Sequence, residues 1–498
     1  MKKLSVLFVI IIVGVCISGC GKGYLDINTP NPNAATNATP ELVITNAMSG
    51  TASAQVTNSN LRPIEFLSGW MGYWAPSGSY ATNNLDVASY NQTTDFANAV
   101  WTGAYRNLED YNYVETLAKT QAKPYYVAMA KAMKSVPFSQ LVDFFNNIPY
   151  LDAFQGTIII QPKYNSGQSI YESLAGQLDS VVILMKSPAA IAAANTDIMF
   201  NGDNASWIQF ANTMKLRLLM RQTEMSGRAA YITSEIAKIT ANGGGFLNKD
   251  AAINPGYANN ESQQNPLWGY FRTLTGLATS GGQADYYRAS AYAINGLKSS
   301  NDRRLGQIYD SLGAGTYVGN VLGSQTNIPG SGTSSIGPGL LKSVSQNAIV
   351  ISAAESHFLR AEAIIRGFLT GNAQTEYEAG VQASFDYLNA GSATVYLNSG
   401  NVNTTWSTAV GFNSQLALII RQKWISENGV LPMEAYNDYR RLGLPADIPI
   451  SISPYKDPID AKVPLRFLYP TTEYTTNATN VNAEGTINSQ TSKIFWSK

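Results

Sequence analysis

Residues 204–221 read NASWIQFANTMKLRLLMR, and their spacing decides the fold. Trp207, Phe210, Ala211, Met214 and Leu218 stand at i, i+3, i+4, i+7 and i+11, a single apolar stripe on a helix of 3.6 residues per turn. This predicts a helix over 205–221, capped by Asp203 or Asn204. The same period extends outward in both directions. Upstream it predicts helices over 41–54 (opened by Thr39 and a first-turn Pro40), 96–121, 124–145 and 170–185. Downstream it resumes over 350–369, 373–389, 412–428 and 432–441. Between about 250 and 350 the chain changes character. Glycine, serine, asparagine and proline dominate there, with one helix over about 284–297. Successive helix pairs of about 30–40 residues read as hairpins stacked like tetratricopeptide repeats. The expected architecture is mainly α. A helical scaffold at about 41–250 and 350–445 supports a loop-rich ligand-binding lobe at about 250–350, within one domain over 41–498.

The first residues have a different logic. Lys2 and Lys3 precede an apolar run from Leu4 to Val15, and Ser18-Gly19-Cys20 follows. A positive start, a short apolar stretch and small residues before a cut describe a secretory signal. The run is too short for a span, which needs about 20 apolar residues. The reading is a signal peptide over 1–19, cleavage before Cys20, and lipid on the Cys20 thiol. Residues 20–40, with Asn28, Pro30, Asn31, Pro32 and Asn33, read as a flexible tether from that lipid. The other cysteine, Cys16, falls in the removed segment, so no disulfide or thiolate metal site is expected.

Composition narrows the function. Charged residues make up 14% of the chain and the net charge is zero. Nucleic-acid binding needs a basic face, so that class is disfavoured. With 28 Tyr and 8 Trp beside abundant amides, the surface suits neutral ligands such as sugars: aromatic faces stack on sugar rings and amides bond the hydroxyls. Aromatics also fill large cores. Catalytic constellations are missing. His357 is the only histidine and sits in a helical pattern, which removes His-Glu-x-x-His zinc chemistry; a Ser-His-Asp triad would have to use it, and the sequence has no Gly-x-Ser-x-Gly elbow. No cofactor or metal is expected. Glycosidase chemistry needs two carboxyls about 5–10 Å apart. Glu355, Glu362, Glu427 and Glu434 lie with Arg440 and Arg441 in helices, where ion pairs are the ordinary use.

Two aromatic clusters are the candidate ligand site. The first is Trp70, Tyr73, Trp74 and Tyr80, with Asn83 and Asn84 after a Pro76-Ser77-Gly78 loop. The spacing of Trp70 and Trp74 would put both rings on one helix face. The second is Trp268, Tyr270, Tyr286, Tyr287 and Arg288, with Gln283 beside it. Asn83, Asn84, Gln283 and Arg288 are the expected hydroxyl partners.

Several strings together resemble the SusD/RagB family. They are YLDINTPNPNAAT after Cys20, YYVAMAKAMKSVPFSQLVDFFNNIPY at 125–150, YNSGQSIYESLAGQLDSVV at 164–182 and FNGDNASWIQFANTMKLRLLMR at 200–221. FLRAEAIIRGFLTGNAQTEYEAGVQASFDYL at 358–388, IIRQKWISENGVLPMEAYNDYRRLGLP at 419–445 and VPLRFLYPTTEYTTNATNV at 463–481 continue the series. The resemblance implies a non-catalytic, lipid-anchored protein on the outer face of the outer membrane. It would act as a hinged lid on a SusC-like TonB-dependent transporter and deliver oligosaccharides to it. Ligand sites in the family form away from the helical repeats, which points to loops of the two aromatic regions. The alternatives are a peptide-binding subunit of the same kind of importer and a surface glycan-degrading enzyme. One departure stands out: the acidic residues common after the lipidated cysteine are replaced by Gly21, Lys22, Gly23 and Tyr24, with Asp26 alone.

Overall fold

The computed structural model describes residues 38–54, 56, 62–80, 85–191, 195–279, 283–456 and 462–498. The signal peptide, Cys20, most of the tether, Asn83 and Asn84 lie outside the described residues.

The protein is mainly helical. Eleven helices carry the packing: α1 (Pro40–Ser53), α2 (Pro63–Trp70), α3 (Asn98–Thr120), α4 (Pro124–Phe145), α5 (Gly167–Met185), α6 (Asn204–Arg221), α7 (Ala229–Asn242), α8 (Ala353–Ile365), α9 (Ala373–Tyr387), α10 (Phe412–Glu427) and α11 (Pro432–Leu442). Their starts follow local chemistry. Asp203 accepts the Ala205 N–H at 3.0 Å to open α6. Ser352 accepts the Glu355 N–H at 3.0 Å to open α8, and Asn372 accepts the Thr375 N–H at 3.2 Å to open α9. Pro40 occupies the first turn of α1 as expected, but the Thr39 side chain makes no cap. At the other end of α11, Gly443 takes the left-handed φ of +70° that closes a helix without a Cβ clash.

The helices pack as successive pairs. α1 lies on α3, α3 on α4, α4 on α5 and α5 on α6; α6 then meets α8, which pairs with α9 and α10, and α11 follows on α10 and reaches α2. Trp207, Phe210, Ala211, Met214 and Leu218 are all fully buried, as their stripe requires. Among the described residues, the segment after 445 carries two short helices, Thr471–Thr476 and Ala478–Ala483, yet it returns to the core. Phe467, Tyr469 and Trp496 are buried, and the Trp496 indole donates to Asp143 at 3.1 Å.

Among the described residues, three two-stranded antiparallel ribbons complete the fold. β1 (Trp74–Pro76) pairs with β5 (Tyr287–Ala289), β2 (Ile148–Pro149) with β3 (Tyr164–Asn165), and β4 (Ala251–Ile253) with β6 (Ala348–Ile351). The β1–β5 ribbon corrects the helix expected over 284–297. That stretch is a single turn at Gln283–Tyr286, then β5, then a helix at Ala291–Ser299 restarted by Ser290, whose hydroxyl accepts the Tyr292 N–H at 3.2 Å. The backbone of 287–289 is taken by 74–76, so the helix cannot run through it. Among the described residues no helix is long and apolar enough to cross a membrane.

The polar residues of the core form a charge network. Arg217 grips Glu355 at 2.7 and 2.5 Å. Arg221 reaches both oxygens of Glu434 at 2.7 Å and also pairs with Asp143. Arg441 holds Glu362 at 2.5 and 2.8 Å and Asp438 at 2.7 Å. Lys423 pairs with Asp438 at 3.0 Å. Glu427 is the exception. It is fully buried, and neither carboxylate oxygen has a hydrogen-bond partner. Burial, reinforced by the neighbouring Glu355, raises its pKa well above the usual carboxylate range.

Candidate functional site

The β1–β5 ribbon brings the two aromatic regions together. Trp74 sits opposite Ala289, Ala75 opposite Arg288 and Pro76 opposite Tyr287. The loop after β1 is pinned to the segment near 328. Gly78 N–H donates to the Ile328 carbonyl at 2.9 Å, and the Asn320 and Asn327 amides both donate to the Pro76 carbonyl at 3.0 Å. Tyr80 then stands over the start of β5. Its hydroxyl donates to Asp285 at 2.7 Å, and its ring lies 5.9 Å from that of Tyr286. Tyr286 and Tyr287 meet edge to face at 4.8 Å. The bond to Asp285 raises the Tyr80 pKa.

Beyond them, Asn265 caps the short helix Pro266–Phe271 and presents Trp268, which is half-buried with an unpartnered indole N–H. Tyr270, on the same turn, is covered by Arg62, whose guanidinium lies 4.5 Å from the ring centre and donates to the hydroxyl at 3.2 Å.

Burial sorts the candidates. Trp70 and Tyr73 are 0% exposed and Trp74 is 1% exposed, so these three form the core and give no ligand a face. The Trp70 indole donates to the Val87 carbonyl at 3.0 Å, the Tyr73 hydroxyl to the Trp424 carbonyl at 2.6 Å, and Trp74 packs edge-on against Phe271 at 5.5 Å. Nor do Trp70 and Trp74 share a helix face, because α2 ends at Trp70 and Trp74 opens β1. Arg288 is not a free hydroxyl partner either. Its side chain is spent on Thr333, at 3.0 Å to the hydroxyl, and on the Ala284 carbonyl at 2.9 Å. Tyr80, Gln283 and Trp268 are partly exposed, while Tyr270, Tyr286 and Tyr287 are buried, each at most 9% exposed, and pack against their aromatic neighbours rather than offering a ligand a free face. Asp285, which orients Tyr80, was missed by the sequence reading; its only signal is its place directly before Tyr286.

The crevice beneath the rim, between Trp74, Tyr286, Tyr287 and Leu322, holds about 20 Å³. That is space for about one water. A crevice of this size admits no sugar ring. Glu355, Glu362 and Glu434 are tied in buried ion pairs, and Glu427 is sealed among them. None of these four carboxyls reaches the surface where a sugar would lie. Among the described residues, no group of three or more His, Cys, Asp or Glu is placed to hold a metal ion.

A family model for SusD-like proteins, described as starch-binding and associating with the outer membrane, matches residues 32–470. Solved structures share the architecture. A SusD homologue from Bacteroides uniformis aligns at a TM-score of 0.76 and 24% identity, covering 92% of this chain and 99% of its own. A chitin-binding SusD homologue from Flavobacterium johnsoniae aligns at 0.73 and 23%, covering 91% and 98%. A SusD-like protein from Bacteroides thetaiotaomicron aligns at 0.74 and 23%, covering 91% and 98%. No curated protein matches this chain. With the family model spanning nearly all of the sequence, the chain belongs to the SusD-like family.

Proposed function

We propose that this protein is a non-catalytic glycan-capturing lipoprotein. It is lipidated at Cys20, held on the outer face of the outer membrane, and delivers neutral oligosaccharides to a SusC-like TonB-dependent transporter. The observation that carries this reading is the β1–β5 ribbon, beside which Tyr80 meets Asp285 and Tyr286 and which leaves Tyr80, Gln283 and Trp268 partly exposed for a ligand to lie on. The family description names starch, and one structural relative is chitin-binding. Both ligands are polymers of neutral, stackable rings. An open rim suits a polymer, since a chain can lie across it and extend at both ends. The low charge of the protein fits the same ligand class. The acidic residues of the recognisable strings support binding without hydrolysis, because they hold helices together.

The test is isothermal titration with oligosaccharides. Stacking on an exposed ring is worth about 1–3 kcal/mol. Trp268→Ala and Tyr80→Ala should each weaken the best glycan by roughly 5- to 150-fold, with melting temperature followed to separate lost packing from lost stacking. Tyr80→Phe, which keeps the ring and loses only the bond to Asp285, should retain most of the affinity. Full affinity in Trp268→Ala and Tyr80→Ala alike would remove the rim as the site.

A further inference from the structure

A cavity of about 440 Å³ opens between α1, α3 and α4 and shares no residue with the aromatic rim. Its floor is apolar: Leu67 of α2, Leu141 and Phe144 of α4, and Met433 of α11, each at most 4% exposed. Its mouth is charged. Arg106 and Asp110 lie one turn apart on α3, and Gln140 of α4 faces them across the opening. Structural duty does not explain these three. Arg106 and Gln140 have no hydrogen-bond or ion-pair partner among the described residues, and Asp110 has only a long contact of 3.5 Å from the Asn46 amide. Nor do Arg106 and Asp110 pair with each other. A base followed by an acid at i, i+4 is the less favourable order along a helix, because it opposes the helix dipole.

The cavity thus offers three distinct demands at once. A guanidinium seeks a planar anion, which it takes by two parallel hydrogen bonds. A carboxylate about one helical turn away seeks a cation. A dry floor below both seeks an apolar group. A neutral sugar can hydrogen-bond both groups but neutralises neither charge, and a simple anion answers only one. The volume falls within the roughly 300–1,000 Å³ of small-molecule pockets.

We propose that this cavity is a second binding site, for a small zwitterion with an apolar side chain: an apolar amino acid or dipeptide. The ligand carboxylate rests on Arg106, the ammonium on Asp110 with Gln140 beside it, and the side chain lies on Leu141, Phe144 and Met433.

The experiment is titration of the mature chain with leucine and leucyl-leucine, against N-acetyl-leucinamide as the uncharged control. Saturable binding of a zwitterion is expected, with none for the blocked compound. Hydrogen bonds to charged groups contribute about 1.5–3 kcal/mol, so Arg106→Gln and Asp110→Asn should each weaken binding about 10-fold or more. Arg106→Lys, which keeps the charge but not the fork, should fall between. Melting temperature is followed for every variant; Arg106 and Asp110 sit at the mouth, so none should move it. No binding by wild type, equal binding of the blocked compound, or unchanged affinity in both R106Q and D110N would overturn the proposal. Oligosaccharide binding at the rim is scored separately, so failure of one site leaves the other standing.

Discussion

Arg221→Leu is expected to destabilise the protein by about 3–5 kcal/mol, the range for removing one partner from a buried ion pair. The guanidinium lies at the end of α6 and ties three other helices to it. It pairs with Asp143 of α4, meets Glu434 of α11 through two bonds of 2.7 Å, and donates to the Tyr171 hydroxyl of α5 at 3.0 Å. Leucine fills much of the space but leaves two carboxylates, each at most 4% exposed, short of charge: Asp143 loses its ion-pair partner and Glu434 keeps only Arg217 at 3.6 Å. They must either stay charged in a poorly polarisable interior or take up protons, and both routes weaken the fold. Arg440 contacts the Asp143 backbone and Asn437, so it offers Glu434 nothing in exchange. Urea unfolding at neutral pH reads the effect directly. A loss below about 1 kcal/mol would mean that the network is decorative, as many surface pairs are.

Acid should unfold the protein steeply. Arg441 and Arg366 hold Glu362 down to about 2, and Arg217 and Arg221 do the same for Glu434, in both cases against burial, which acts the other way. Both values are depressed below the ordinary unfolded value of about 4.3. The stability they confer is complete above about pH 5 and is lost as pH falls towards 2. For Glu362 a difference of about 2 units at about 1.36 kcal/mol each is on the order of 3 kcal/mol, and Glu434 acts in the same direction. Glu427 runs the other way. Its folded pKa is raised, so above about pH 4.5 the unfolded chain releases a proton that the folded chain keeps, and stability declines as pH rises. Glu427→Gln removes that slope, and its advantage over wild type should grow between pH 5 and 8. Glu362→Gln should be less stable at pH 7 and show a shallower acid limb. Parallel curves for wild type and Glu427→Gln over pH 5–8 would contradict the placement of Glu427.

The helices were legible because a buried helix writes its period into its own residues. The stripe from Trp207 to Leu218 is of this kind. What that stripe did not reveal is that the opposite face of α6 is buried as well: Asn212, Thr213, Lys215, Arg217 and Arg221 are all at most 4% exposed. Polar residues on a helix normally mark the solvent side. Here Asn212, Lys215, Arg217 and Arg221 each find a partner on another helix, distant in sequence, while Thr213 donates to the Gln209 carbonyl and accepts the Leu247 N–H. The strand at 287–289 was hidden for the same reason. Three residues carry no usable alternation, and what makes them a strand is Trp74–Pro76, over two hundred residues earlier. The aromatic clusters were found, but not which rings face out. Trp74 and Tyr80 read alike in the sequence. The ribbon turns the first inward against Phe271, while the pinned loop holds the second over Asp285.

Titration of the mature chain with neutral oligosaccharides, among them starch and chitin fragments, alongside peptides, with the products of each mixture analysed after prolonged incubation, tests the functional reading most directly. The expected result is saturable binding of at least one oligosaccharide, weakened in Trp268→Ala and Tyr80→Ala, with every glycan recovered intact. Binding at the rim confined to peptides, or turnover of a glycan that a single Asp or Glu substitution abolishes, would contradict it.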